Sequence, residues 1–401
     1  MTTENEMTQP PERNPHHHNE FPHRASSAGR NEPPTPGSNN SLHFKSSELK
    51  DLVNVPSRIV PAKPLSSGLL TVVPLRSNGR LKKRKFDTKS GAKSGKGLRK
   101  TDVPYRGCIK MGTREIDKRR VVIQELDSHG RVPVLHAEND SLFHVLFVEG
   151  DQLLGAKQNR VCNSTVLLAP KSTSKIPVSC VEEGRWQHVS TEFSSSKYHA
   201  SPSLRRRMVA TKEESRKRSN GRDAHSTNQG AVWDEVSQLA ALASVNSSTK
   251  AMEDVFQHAR TDHHNERPLI CPKGINGWIV VIDDQIKSLD LFGSPKLCQQ
   301  AWPRMIRSAQ IEARLQEYQH DSQYNPATKS KRSKGKDKQH SKIHFSGVPQ
   351  GIKEFLRELQ QSHREIVPQV AAGLEQRLSN QRFQGSYLTL QNRLVHLGVT
   401  I

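Results

Sequence analysis

Long apolar runs, aromatic residues, paired cysteines and acidic excess are all scarce in this sequence, and each scarcity excludes something. No run approaches the roughly 20 consecutive apolar residues that a membrane-spanning helix needs, so no helical span is expected. Aromatics are 5% and hydrophobic residues 33% of the 401 residues. Globular chains run near half apolar, so part of this one has no core to join. The five cysteines, Cys108, Cys162, Cys180, Cys271 and Cys298, show no CxxC spacing. An odd, scattered set excludes a disulfide framework and fits reduced thiols in a cytoplasm. The opening residues, MTTENEMTQPPERNPHHHNEF, lack the apolar stretch of a secretory signal. P-loop, G-x-G-x-x-G, G-x-S-x-G and HExxH patterns are absent too, which leaves the usual phosphate-loop, dinucleotide, serine-hydrolase and zinc-protease signatures without support.

Positive charge is what the chain has in excess: 61 Lys and Arg against 40 Asp and Glu, a formal net charge of +21. Such a balance favours nucleic acid, anionic ligands or acidic partners. Much of it falls in two low-complexity blocks, 79–100 and 321–345. These read as solvated, self-repelling insertions, or as segments that contact phosphates without sequence selectivity. Residues 1–66, rich in Pro, Asn, Ser, Glu and His, cannot bury enough surface to offset their ordering entropy and read as a disordered tail.

Between these segments the pattern is that of an α+β protein. Short β-branched runs at Leu69–Leu75, Arg119–Glu125, Val132–Leu135, Leu142–Val148, Thr165–Leu168 and Ile176–Val181 predict an antiparallel, sandwich-like β subdomain over 67–200. Leu142–Val148 is apolar on both faces and reads as a central strand. Pro177 belongs at an edge or a strand start, because it cannot donate to the ladder. A basic linker is expected over 201–227, then an α+β subdomain over 228–401. The latter opens with a helix carrying Trp233, Val236 and Leu239. Hairpins are predicted around Asp283-Asp284 and Gln391-Asn392, and Ser294-Pro295 starts a helix with Ser at N-cap and Pro at N1.

Functional side chains collect in knots at the ends of these strands. Glu149 and Glu182 are candidate catalytic carboxylates, able to act as general base. Lys157, Gln158, Asn159, Arg160, Arg185 and Gln229 are candidate ligand-binding residues. The arginines offer forked donors to phosphate or carboxylate, and the amides suit a ribose. Each also has a structural reading: Glu149-Gly150-Asp151 is an ordinary turn, Arg185 can pair with Glu182, and Cys180 and the tryptophans can simply be core. No metal site is assigned, since His16-His17-His18 and His258, His263 and His264 have no second ligand pair. No cofactor is specified.

The ordered set Gly155-Ala156-Lys157-Gln158-Asn159-Arg160, Ile176–Glu182 and Gly184-Arg185-Trp186 resembles the ARPP domain, the ADP-ribosylglycohydrolase and rhodanese-phosphatase-superfamily associated protein domain. The resemblance continues through Leu204-Arg205-Arg206, Gln229–Val236, Leu289–Phe292 and Leu394–Leu397, covering roughly 69–401. It departs at Asn228, where the family pattern commonly carries an acid. It implies a domain with a role in NAD or ADP-ribose metabolism, and thus a phosphorylated nucleotide-type ligand. Two alternatives stand beside it: a basic nucleic-acid-associated protein without catalysis, and a non-catalytic scaffold. A cytoplasmic location and no membrane partner are expected.

Overall fold

A computed structural model of the chain describes residues 59–77, 109–126, 133–261, 268–324 and 348–401. All of these belong to one compact unit, Lys45–Ile401. In chain order the strands and helices are β1 (Ile59–Pro61), β2 (Leu65–Ser67), β3 (Leu70–Ser77), β4 (Lys110–Met111), α1 (Gly112–Asp117), β5 (Val121–Glu125), β6 (Val134–Asn139), β7 (Val145–Phe147) and β8 (Asp151–Gly155). There follow β9 (Arg160–Cys162), β10 (Val166–Leu168), β11 (Ser172–Cys180), β12 (Phe193–His199), α2 (Pro202–Arg218), α3 (Gln229–Leu242) and α4 (Met252–Thr261). The chain closes with β13 (Gly277–Ile282), β14 (Gln285–Phe292), α5 (Pro295–Tyr324), α6 (Val348–Gln360), β15 (His363–Ile366), β16 (Leu374–Ser379), β17 (Gln384–Leu390) and β18 (Arg393–Thr400). The expected tail lies outside the described residues up to Arg58, as do block 79–100 and the part of block 321–345 beyond Tyr324. The rest of the expected tail, 59–66, is not irregular but carries β1 and the start of β2, both paired with β3.

The α+β class holds. A nine-stranded sheet runs β1-β3-β13-β14-β18-β17-β16-β15 with β2 on β3, and a six-stranded sheet runs β12-β8-β9-β11-β6-β5. A small sheet, β10-β7-β4, lies between their cores. Alternation explains the layers. On β3 and β13, Leu70, Val72, Trp278 and Val280 face α5, while Val73, Leu75, Ile279 and Val281 face Phe355 and Leu359 of α6. With both faces covered, these strands read as unbroken apolar runs. The small sheet does the same at close quarters: Val145 and Phe147 pack with the six-stranded sheet, and Leu146 and Val148 pack with α5.

Both predicted hairpins form. Their turn residues Asp283, Asp284, Gln391 and Asn392 all have φ between 49° and 58°, the backbone a two-residue hairpin demands. Ser294 caps α5 by accepting the Leu297 N–H at 3.3 Å, and the helix runs on through Pro303. Trp278 and Trp302 meet edge to face at 5.3 Å as core residues.

Three expectations change. The run Leu142–Val148 yields only the three-residue β7, with Leu142 76% exposed. Asn139 intervenes: its amide donates to Phe143 O at 2.8 Å and accepts from Ser141 N at 3.0 Å, a side-chain turn that competes with the ladder. Pro177 sits inside β11, where the strand changes partner. Residues up to Pro177 pair with β6, and Val178 onward pairs with β9, so the missing N–H falls at the changeover. Finally, the expected linker at 201–227 contains α2, a 17-residue helix.

Candidate functional site

Six of the sequence-predicted residues converge where β9, β11 and α3 meet. Gln158 donates through Nε2 to Glu182 O at 2.8 Å, and its Oε1 accepts from Arg160 Nη1 at 3.2 Å and from Cys180 Sγ at 3.0 Å. Arg160, fully buried, also contacts the Cys180 thiol and reaches Glu125 at 3.3 Å. Arg185 forks onto Glu182 at 2.8 and 2.6 Å, and it donates to the Ala156 and Gln187 carbonyls at 2.7 and 3.0 Å. Asn159 Oδ1 accepts from Gly155 N at 3.0 Å, while Asn159 N donates to Glu182 at 3.0 Å. Gln229, at the start of α3, pairs with the Cys180 backbone like a neighbouring strand, its Oε1 accepting from N and its Nε2 donating to O, each at 2.8 Å.

The electrostatics match that closure. Burial alone would raise the Glu182 carboxyl, but hydrogen bonds from Arg185 and the Asn159 N–H outweigh it and hold the group below its ordinary value. Burial pushes the Cys180 thiol up to about 11, against the opposing charge of Arg160, so it is no nucleophile at neutral pH. Lys157 is also mostly buried, with its ammonium 5.4 Å from the half-exposed Trp186 ring. Apart from the buried Arg160 Nε, which has no partner among the described residues, the forked donors that could have taken a ligand bond to the protein itself. This knot is a brace.

Glu149 does not join it. Its carboxylate pairs with Lys212 of α2, which also donates to Asn163 O at 2.6 Å. It belongs to a second buried network that the sequence reading missed. Arg205 forks onto Asp290 at 2.9 and 2.8 Å, His396 Nε2 lies 3.3 Å from Asp290, and His396 Nδ1 lies 3.3 Å from Thr165 Oγ1. Asp151 pairs with Arg304 at 2.9 Å and lies 3.7 Å from His199. Burial pulls the Lys212 ammonium down to about 8, Arg377 adds to the shift, and Glu149 opposes it. The available signal was Asp290 itself: an acid between leucines on a strand is stable only if a cation meets it.

Away from both networks a cleft of about 900 Å³ opens between the first turn of α2, the tip of the β13–β14 hairpin, α5 and the β16–β17 turn. Ser203, Arg206, Lys287, Glu312, Gln316 and Arg382 are among its lining residues. Arg382 is held by Glu358 at 2.9 Å, and Lys287 donates to Gln285 at 2.7 Å. Arg206 has no carboxylate partner among the described residues. Burial lowers the Lys287 ammonium, Glu312 opposes this, and the charge of Arg206 lowers it further. Glu312 is buried, accepts the Ser203 N–H at 2.9 Å, and has its carboxyl raised, chiefly by burial. Among the described residues there is no cluster of three or more metal-ligating side chains, and no helix is long and apolar enough to cross a membrane.

The family model for the ARG and Rhodanese-Phosphatase-superfamily-associated Protein domain, ARPP-1, matches residues 59–400. The chain belongs to the ARPP-1 family. No curated protein and no solved structure matches it. The motif residues that carry the ARPP-1 resemblance now have places. GAKQNR, IPVSCVE, GRW and the Gln229 run build the brace, while Leu289–Phe292 and Leu394–Leu397 carry the Asp290–His396 network. Asn228, the point of departure from the ARPP-1 pattern, is the N-cap of α3 and accepts the Ala231 N–H at 3.2 Å. Asp and Asn cap equally well, so capping accounts for either residue there.

Proposed function

We propose that this ARPP-1 protein binds a phosphorylated, nucleotide-type ligand in the cleft beside Arg206 and Lys287. The observation that carries the reading is the pair itself. Two cations line one open cleft, close enough for one to shift the titration of the other, and Arg206 has no carboxylate of its own. An anion between them would turn that repulsion into two charge-assisted hydrogen bonds. Glu312, whose buried carboxyl is raised chiefly by burial, adds a polar group beside the two cations that can hydrogen-bond a ribose hydroxyl. The association of the family with ADP-ribosylglycohydrolases makes ADP-ribose the ligand to try first.

A ligand that binds only the folded state raises stability with its concentration, by about 2.7 kcal/mol at a hundred times its Kd. Millimolar ADP-ribose should therefore raise the melting temperature by a few degrees. Combined Arg206→Ala and Lys287→Ala should abolish the rise. Arg160→Ala should lower the baseline Tm but leave the ligand-induced rise intact, because Arg160 belongs to the sealed brace. A rise lost in Arg160→Ala and kept in the cleft variant would move the site back to the brace. No rise with ADP-ribose, AMP or inorganic phosphate would end the proposal.

A further inference from the structure

Cysteine spacing in the sequence gives no pairing, yet the fold brings two thiols together. Cys271 lies in the segment between α4 and β13, and Cys298 lies in the first turns of α5. The Cys298 thiol is buried in the core beneath α5, and Cys271 packs on that same core from outside while still partly exposed. Each thiol shifts the titration of the other, as neighbouring sulfurs do. The same segment is tied to α5 a second time, by Trp302 Nε1 donating to Leu269 O at 2.7 Å. Neither cysteine is among the residues that line the cleft.

We propose that Cys271 and Cys298 form a thiol pair that low-molecular-weight disulfides such as oxidised glutathione convert to an intramolecular disulfide. The roles differ. The neighbouring Cys298 lowers the Cys271 thiol, whereas Cys271 and burial raise that of Cys298. Cys271, more exposed and more acidic, is the attacking group; Cys298 resolves. The Cys271 thiolate attacks one sulfur of oxidised glutathione, forming a mixed disulfide and expelling one glutathione thiolate, which takes up the Cys271 proton. Cys298 then attacks Cys271 Sγ, the Cys271–glutathione bond breaks, and the second glutathione thiolate leaves with the Cys298 proton. Two protein thiols are oxidised to one disulfide, and one glutathione disulfide is reduced to two thiols. The product covalently joins the 268–276 segment to α5.

The full chain, incubated with oxidised glutathione, should lose two thiols together and regain them on reduction. Peptide mapping should find the Cys271 and Cys298 tryptic peptides linked. The oxidised protein should melt several degrees higher, because the crosslink restricts the unfolded chain. Cys271→Ser should remove both the link and the shift. Cys298→Ser, or Cys298→Ala if the serine perturbs the core, should instead stop at a stable glutathione adduct on Cys271. The proposal is overturned if the unsubstituted protein accumulates that adduct without closing the bridge. A bridge from either thiol to Cys108, Cys162 or Cys180 would equally overturn it.

Discussion

His199 shows how far a single side chain can govern the pH dependence of this protein. It is almost fully buried, its Nδ1 donates to Ala200 O at 3.1 Å, and its Nε2 has no hydrogen-bond partner. The backbone carbonyl thus fixes the neutral tautomer. Burial is the main cause that takes it from the ordinary 6.5 down to about 4; Asp151 opposes the shift, and Arg205 and Arg304 reinforce it. Because the folded value is depressed, the unfolded chain binds more protons between pH 6.5 and about 4. Stability from this group is complete above that window and is lost as pH falls through it, by roughly 3 kcal/mol in total. His225, also lowered mainly by burial, contributes in the same direction. Asp290, held far below the usual carboxylate range by Arg205 and His396 in spite of burial, loses its share only at more acid pH. Urea unfolding of His199→Gln should therefore show a shallower decline than the unsubstituted protein between pH 7 and 4.5. Identical slopes would remove His199 from the account.

At the scale of elements, α2 marks the limit of what the sequence discloses. The hairpins were legible because turn chemistry is local: Asp283-Asp284 and Gln391-Asn392 announce positive φ without knowledge of the rest. The start of α5 was legible for the same reason. Helix α2 was not, because its inward face carries Arg205 and Lys212 beside Leu204 and Met208. Periodicity counts charges as solvent-facing, and these two are buried only because Asp290 and Glu149 come to meet them from distant strands. The candidate site was legible in the same partial way. The polar knots at strand ends group Glu149 with Gln158, Arg160, Glu182 and Arg185. The last four meet, while Glu149 goes to Lys212 instead. That the four bond chiefly to one another followed from nothing in the sequence. The cleft at Arg206 and Lys287 draws on elements scattered from α2 to the end of the chain and has no local signature. The cost of α2's charged face can be measured. Lys212→Met leaves the Glu149 carboxylate buried without a partner and should cost about 3–5 kcal/mol. Adding Glu149→Gln should recover part of that loss, as coupling within one pair requires. Strictly additive losses would show that the pair is not a unit.

Over the whole molecule, the order of strands ties the two ends of the chain to each other. β3 lies between β1 and β13, with Leu70 in register with Ile282 and Leu75 with Gly277. The small sheet joins the cores on either side of it, since β7 turns Phe147 toward the six-stranded sheet and Leu146 toward α5. A cut between residues 200 and 201 would therefore leave β3 with one apolar face lacking α5 and the other lacking α6, and would strip Asp151 of Arg304 and Glu149 of Lys212. Each loss exposes either a core face or a buried charge, and neither fragment can replace it. Expressed separately, 59–200 and 201–401 should each fail to unfold cooperatively, while the full chain gives one coincident transition by near-UV and far-UV circular dichroism. A 201–401 fragment that melts sharply by itself would show that the C-terminal part is an independent domain, and that β3 joins its sheet only as an accessory strand.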